Sequence, residues 1–206
     1  MIESVDITEI RRPTGWSPIR RELGVQAFGI NAWHGDAGSV LVGEHDETQS
    51  GHEELYVVTT GAAKFTVDGE EVAAGPGTVV FVRDPESSRG AVAAEDGTTV
   101  VSIGGKPGEA YVPRVWEVSA ETIALFEQER IDEAKVLIES SMDEFDRHWV
   151  LSYNLACAEA RTAEPDQAIE HLREAIEKRP QAKDAARDDS DFDSLRADPR
   201  FVELVS

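Results

Sequence analysis

Apolar positions along this chain follow two different rules, and the change comes near residues 105–120. Before it, short apolar runs rich in Val, Thr, Phe and Ile are broken by Gly, Asp and Pro. Residues 25–33, 39–42, 54–60, 63–67, 78–83 and 98–103 have strand length and strand composition. Asp68-Gly69 marks a tight hairpin, because such turns require positive φ. Gly75-Pro76-Gly77 and Asp96-Gly97 mark further turns. Many short strands between frequent turns predict an antiparallel sandwich or closed barrel. Gly104-Gly105 is expected to break the last strand, and Tyr111-Val112-Pro113 to Glu117 reads as an extended linker.

From Glu121 onward turn residues thin out and helical spacing begins. Leu125, Ala134 and Ile138, then Leu151, Leu155, Ala168, Leu172, Ala175 and Ile176, recur at three- and four-residue intervals. The predicted organisation is an N-terminal extension over 1–22, a β-barrel domain and linker over 23–117, and a helical domain over 118–206. The fold class is mainly β plus α.

Charge narrows the partners. The 206 residues carry 41 Asp and Glu against 20 Lys and Arg, a formal net charge of −21. Nucleic acid is disfavoured as a partner for such a surface, because that affinity comes largely from Lys and Arg; anionic membranes are disfavoured alike. Both parts are acidic: residues 1–117 hold 19 acids and 9 bases, and the remainder 22 and 11. A partner of the helical part is therefore expected to be basic, with affinity that weakens in salt. The single cysteine, Cys157, excludes an intramolecular disulfide and is expected to be a small core residue. Residues 1–6 show neither a basic nor an apolar leader region, and no apolar stretch reaches membrane-spanning length, so a cytoplasmic location is expected.

The chemistry concentrates between Glu44 and Gly61, where two imidazoles and several carboxylates lie beside a strand beginning near Glu53. In an extended chain His52, Glu54, Tyr56 and Val58 share one face. His45 and Glu47 can approach from the preceding loop. Imidazole nitrogen with carboxylate oxygen suits Zn, Fe, Mn or Ni, so His45, Glu47, His52 and Glu54 are the candidate metal ligands. Arg83 and Arg89 flank Asp84-Pro85-Glu86-Ser87-Ser88, and a guanidinium there could hold a carboxylate. With Tyr56 they are the candidate ligand-binding residues. The alternative stays open that His52 and Glu54 pair with each other, or with Arg83 or Arg89, as a polar cluster inside the barrel. Trp33 is expected to pack and His34 to lie at the surface. No nucleophile elbow, phosphate loop or dinucleotide fingerprint occurs.

Residues 23–105 resemble the cupin family on the Glu54-to-Gly61 spacing, the Asp68-Gly69-Glu70 turn, and Gly77 leading into Thr78-Val79-Val80-Phe81-Val82. The resemblance implies a small jelly-roll barrel. In metal-binding cupins a His-x-His pair, a Glu and a later His supply the ligands. Here the Glu falls on Glu54, the His pair on Glu47 and Gln49 or on Thr48 and Ser50, and the last His on Ser88. One of four positions keeps its ligand, and an open metal site wants at least three. His45, Glu47 and His52 make up the loss only if the loop over 44–51 bulges to re-aim them.

The helical part resembles the tetratricopeptide repeat. Ala134 and Ala168 lie one repeat length of 34 residues apart, as do Ile138 and Leu172. Leu155, Ala156, Ala168, Leu172, Ala175 and Pro180 fall on matching positions of the second copy, with Ser152 and Glu159 departing from it. The first copy is poorer, carrying Glu121, Thr122 and Ser141 at such positions. The stretch from Asp191 to Phe201 is expected to form a terminal helix that closes the array.

Two functions follow. One is a protein that binds a small molecule in the barrel, with or without a metal, while the repeat-like helices contact a partner protein or a second copy of the chain. The other is a metal-dependent enzyme of the cupin kind, an oxygenase, isomerase or cyclase. Cupin-like barrels often pair through their sheets, which would make a homodimer, and an N-terminal strand lent to a partner subunit is a further expectation.

Overall fold

The structure, a computed structural model, describes residues 2–206; Met1, at the head of the expected extension, lies outside the described residues. The chain divides into two compact units, residues up to Pro113 and Arg114–Ser206.

Among the described residues the first unit contains nine strands and one short helix: β1 Trp16–Ser17, α1 Ile19–Leu23, β2 Gly29–Gly35, β3 Val40–His45, β4 Glu53–Thr60, β5 Ala63–Val67, β6 Glu70–Ala74, β7 Val79–Val82, β8 Arg89–Ala93 and β9 Thr98–Gly105. They form two antiparallel sheets, ordered β1-β2-β9-β4-β7 and β3-β8-β5-β6. Without β1, this order is that of an eight-stranded jelly roll, two Greek keys folded face to face. The unit is cupin-like in fold. Alternation places the core: Tyr56 and Val58 point inward and are buried, while Leu55 and Val57 are half-buried. Leu41, Phe65, Val82 and Val100 complete the layer between the sheets. At Asp68-Gly69 both φ angles are positive, 49° and 84°, as the hairpin requires.

Three features of this unit escape the hydrophobic pattern. β6 reads Glu70-Glu71-Val72-Ala73-Ala74, with all but Ala74 exposed, and is held as an edge strand by pairing with β5. β8 turns Arg89, Ala91 and Ala93 inward; its small side chains accommodate Phe65, which lies opposite Ala91. β9 runs on through Gly104 and Gly105 instead of breaking there. The N-terminal strand pairs with the chain's own β2, Trp16 opposite Trp33, so residues before 23 are built into the barrel sheet. His34 is buried rather than at the surface. Its Nε2 lies 2.9 Å from Ser17 Oγ and its Nδ1 3.1 Å from Thr99 Oγ1. Burial, with the charge of Arg11, lowers its pKa.

The second unit is helical: α2 Val115–Glu127, α3 Ile131–Ser141, α4 Trp149–Arg161, α5 Pro165–Lys178, α6 Ala182–Asp188, a 3₁₀ helix over Ser190–Leu195, and α7 Pro199–Leu204. Position 117, the expected boundary, falls in the first turn of α2. α2 and α4 start 34 residues apart, as do α3 and α5, and left-handed residues Glu129 (φ 57°) and Ala163 (φ 61°) occupy matching turns. Ala134, Ile138, Ala168 and Leu172 are all wholly buried. Small residues at 134 and 168 leave room for the neighbouring helix. The expected single terminal helix is instead the 3₁₀ helix followed by α7, whose Phe192 and Phe201 rings meet at 5.5 Å. Cys157 is buried in this core, and burial raises its thiol well above its ordinary pKa. Among the described residues no helix is long and apolar enough to cross a membrane.

Candidate functional site

Register brings the candidate residues to one end of the barrel. His45, the last residue of β3, lies opposite Arg89, the first of β8. In the other sheet Glu54, near the start of β4, stands between Val82 of β7 and Gly104 of β9. Gly104 leaves room there: a Cβ would come within 3.2 Å of Glu54 Cγ, a tight contact.

The loop before β4 does bulge. Ser50 and Gly51 both donate backbone hydrogen bonds to the Glu47 carbonyl, at 3.1 and 2.8 Å. Gly51 takes a φ of 69°, a conformation costly for any residue with a Cβ. Glu47 N donates to Pro85 O at 2.8 Å, tying this loop to the one before β8. The turn carries Glu47 back toward the barrel and leaves His52 buried beside it. Ser50 Oγ donates to the Glu47 carboxylate and fixes its orientation.

Three of the candidate ligands, His45, Glu47 and Glu54, therefore converge, with His52 beside Glu47. His45 Nε2 lies 3.3 Å from Glu54 Oε2 and 3.7 Å from Glu47 Oε1, and His52 Nδ1 lies 3.6 Å from Glu47 Oε2. One donor atom each from His45, Glu47 and Glu54 falls within 4.8 Å of the others. His45 Nδ1 donates to Gly43 O at 2.8 Å, which leaves Nε2 as the nitrogen with a lone pair in the neutral ring.

Tyr56 and Arg89 act on Glu54 from below. The Tyr56 hydroxyl donates to Glu54 Oε2 at 2.6 Å, and Arg89 Nε stands 3.6 Å from the same oxygen. Arg89 is 1% exposed, and its other nitrogens donate to Asp84 O at 3.0 Å and Pro85 O at 3.4 Å. Its Nε makes no hydrogen bond. Burial, the neighbouring Glu54 charge and their hydrogen bond push the Tyr56 phenol far above its ordinary pKa, so it stays protonated. Burial alone would raise the Glu54 pKa; hydrogen bonds from His45 and Tyr56 outweigh it and hold the carboxyl below its usual range. The hydrogen bond to Glu54 raises the His45 pKa against the effect of burial.

The cluster gathers His45, Glu47, His52, Glu54, Tyr56 and Arg89. Arg83 stands apart: it is exposed, its guanidinium 5.0 Å over the Phe81 ring, and among the described residues it takes no part in the cluster's hydrogen bonds or ion pairs. Tyr56 is 1% exposed, and its hydroxyl donates to Glu54. Ser88, at the position of the lost cupin histidine, donates to Glu44 at 3.1 Å. Sequence reasoning missed Ser50 and Tyr111. The Tyr111 ring, in the stretch read as linker, lies 5.4 Å from the His52 ring. A second group, Cys157 with Asp189 and Asp191, also converges. Its atoms are engaged within the helical core: Asp189 Oδ2 accepts from Tyr153 at 2.8 Å, and Asp191 pairs with Arg161 at 3.4 Å.

The family profile of the AraC-like ligand binding domain matches residues 43–129. Among solved structures, a cupin protein from Bacteroides fragilis is 21% identical with a TM-score of 0.43, covering 55% of this chain and 91% of its own. A sugar phosphate isomerase of the cupin superfamily from Silicibacter pomeroyi is 17% identical with a TM-score of 0.43, covering 52% and 78%. A protein from Thermotoga maritima described as a predicted oxalate decarboxylase is 18% identical with a TM-score of 0.42, covering 50% and 99%. No curated protein sequence matches the chain.

Proposed function

We propose that the barrel binds a small molecule at the end where β3, β4 and β8 meet, on a divalent transition metal (Fe, Mn, Ni or Zn) held by His45, Glu47 and Glu54, with His52 beside Glu47. The observation that carries this reading is the spacing of the donors. Tetrahedral ligands at about 2.1 Å from a metal lie roughly 3.4 Å from one another. Here His45 Nε2 lies 3.3 Å from Glu54 Oε2 and 3.7 Å from Glu47 Oε1. The donor set of imidazole and carboxylate suits such ions, and the Gly43 carbonyl holds His45 in the ligating tautomer. A metal bound there would act as a Lewis acid toward an oxygen of the ligand.

The remaining residues have supporting work. Arg89 anchors both Glu54 and the loop over 84–88, and Tyr56 aims the Glu54 carboxylate. Ser50 does the same for Glu47. Binding is favoured over catalysis because the phenol best placed to donate a proton is buried and committed to Glu54. The AraC-like ligand binding profile over 43–129 fits that reading.

The helical unit, with its 34-residue backbone period, is proposed to be a tetratricopeptide-like association surface for a basic partner. Its surplus of acids sets the partner's sign. A Lys-rich peptide titrated into the full chain is expected to bind less tightly as salt rises; absent or salt-insensitive binding counts against this role.

The barrel reading is tested by elemental analysis of protein dialysed without chelator. Wild type is expected to carry about one metal per chain, and the double variant His45→Ala, Glu54→Ala to carry none. Wild-type protein that holds no metal and also resists loading with Fe, Mn, Ni and Zn overturns it.

A further inference from the structure

A second concavity lies in the barrel unit, away from the donor cluster. It measures about 540 Å³ and is walled by Arg20, Arg21, Val25, Gln26, Tyr111 and Pro113. That volume suits a small molecule. Its charge is the opposite of the chain's: both ionisable groups commonly charged at neutral pH in the wall are arginines, within a protein of net charge −21. The acid that follows them in sequence, Glu22, pairs with Arg12 at 2.8 Å.

The two guanidiniums are placed differently. Arg20 lies 5.3 Å over the Tyr111 ring and reaches the Val25 carbonyl at 3.5 Å, so its position is set by the wall itself. Arg21 is half-buried, and among the described residues its side chain has no ion pair. Removing a guanidinium from water without an anionic partner is unfavourable. In a chain with twice as many acids as bases, a neighbouring carboxylate would be the expected partner, and among the described residues Arg21 has none.

We propose that this cavity binds a small organic oxyanion, a carboxylate or a phosphate monoester. Arg21 and Arg20 face its oxygens, and Val25 and Pro113 lie against its apolar body. A planar guanidinium matches either oxyanion with two parallel hydrogen bonds. The site is separate from the His45 cluster and does not depend on a metal there.

The test is calorimetric titration of the full chain, in EDTA, with inorganic phosphate and with benzoate. At least one probe is expected to bind saturably at one site per chain, and more weakly at high salt. A charge-assisted hydrogen bond from a half-exposed guanidinium corresponds to about tenfold in affinity. Arg21→Gln is expected to lose that factor. Lys64→Gln removes the same charge from an exposed pair with Glu71 and is expected to change affinity less than about twofold. Phosphate binding alone identifies a phosphate monoester as the ligand class, and benzoate binding alone a carboxylate; either supports the site. The proposal fails if neither probe saturates the wild type, if Arg21→Gln binds as tightly, or if both variants lose affinity equally.

Discussion

Replacing Glu54 by Gln removes one charge from the barrel and leaves the buried Arg89 guanidinium without its partner. At 3.6 Å, and with an effective dielectric near 20, the pair attracts by about 5 kcal/mol before desolvation is counted. Stripping one partner from a buried pair generally costs roughly 3–5 kcal/mol. The low end applies here for two reasons. The Glu54 side chain keeps 14% exposure, and Arg89 retains the carbonyls of Asp84 and Pro85. Gln also preserves an acceptor for the Tyr56 hydroxyl. The expected loss is about 3 kcal/mol, a fall of roughly 12 °C in the melting temperature of a unit this size. Calorimetric melting of the full chain in EDTA measures it without any contribution from bound metal. Arg89→Met closes a double-mutant cycle: in the Glu54→Gln background it should cost less than in the wild type, with a coupling of about 2 kcal/mol. A coupling below about 0.5 kcal/mol would refute the claim that Arg89 and Glu54 act as a unit.

Gly51→Ala places a Cβ at a φ of 69° and is expected to cost about 1–2 kcal/mol, while weakening metal binding by moving Glu47 and His52; unchanged metal affinity would mean the turn does not aim them. Ala168→Leu should destabilise the helical unit by about 1–3 kcal/mol through overpacking, since Ala168 is wholly buried; a melting curve like the wild type's would contradict the close helix approach. His171 donates to the buried Glu159 at 2.8 Å, and that bond raises its pKa. A raised folded pKa gives stability fully present below the unfolded value and lost as pH rises through the folded one. The melting temperature of His171→Gln should therefore fall less than the wild type's between about pH 5.5 and 8.5; parallel falls would exclude the pair as a source of that dependence.

The two-part architecture was legible because its signals are local. Ala63–Val67 alternates cleanly and forms β5 at the expected residues, and Asp68-Gly69 turns as its composition demands. β6 and β8 were not legible, because neighbours hold them: Glu70-Glu71 has no apolar face, and Arg89-Gly90-Ala91 reads as a loop until Phe65 is seen opposite. His34 looked like a surface residue because its partners, Ser17 and Thr99, are far from it in sequence. At the site, alternation placed Glu54 and Tyr56 on one face. The return of Glu47 depends on one positive φ at Gly51, which composition allows but does not demand. Tyr111 was hidden in an apparent linker, since only the folded barrel brings it against His52.

The claim on which the account rests is that His45, Glu47 and Glu54, with His52 adjoining, hold one metal ion. A crystal of the full chain equilibrated with Zn²⁺ and measured at the zinc absorption edge tests it most directly. The account predicts a single anomalous peak in the barrel unit, about 2.0–2.2 Å from His45 Nε2 and from carboxylate oxygens of Glu47 and Glu54. Density without a peak, with Glu54 still paired to His45 and Arg89, would contradict it.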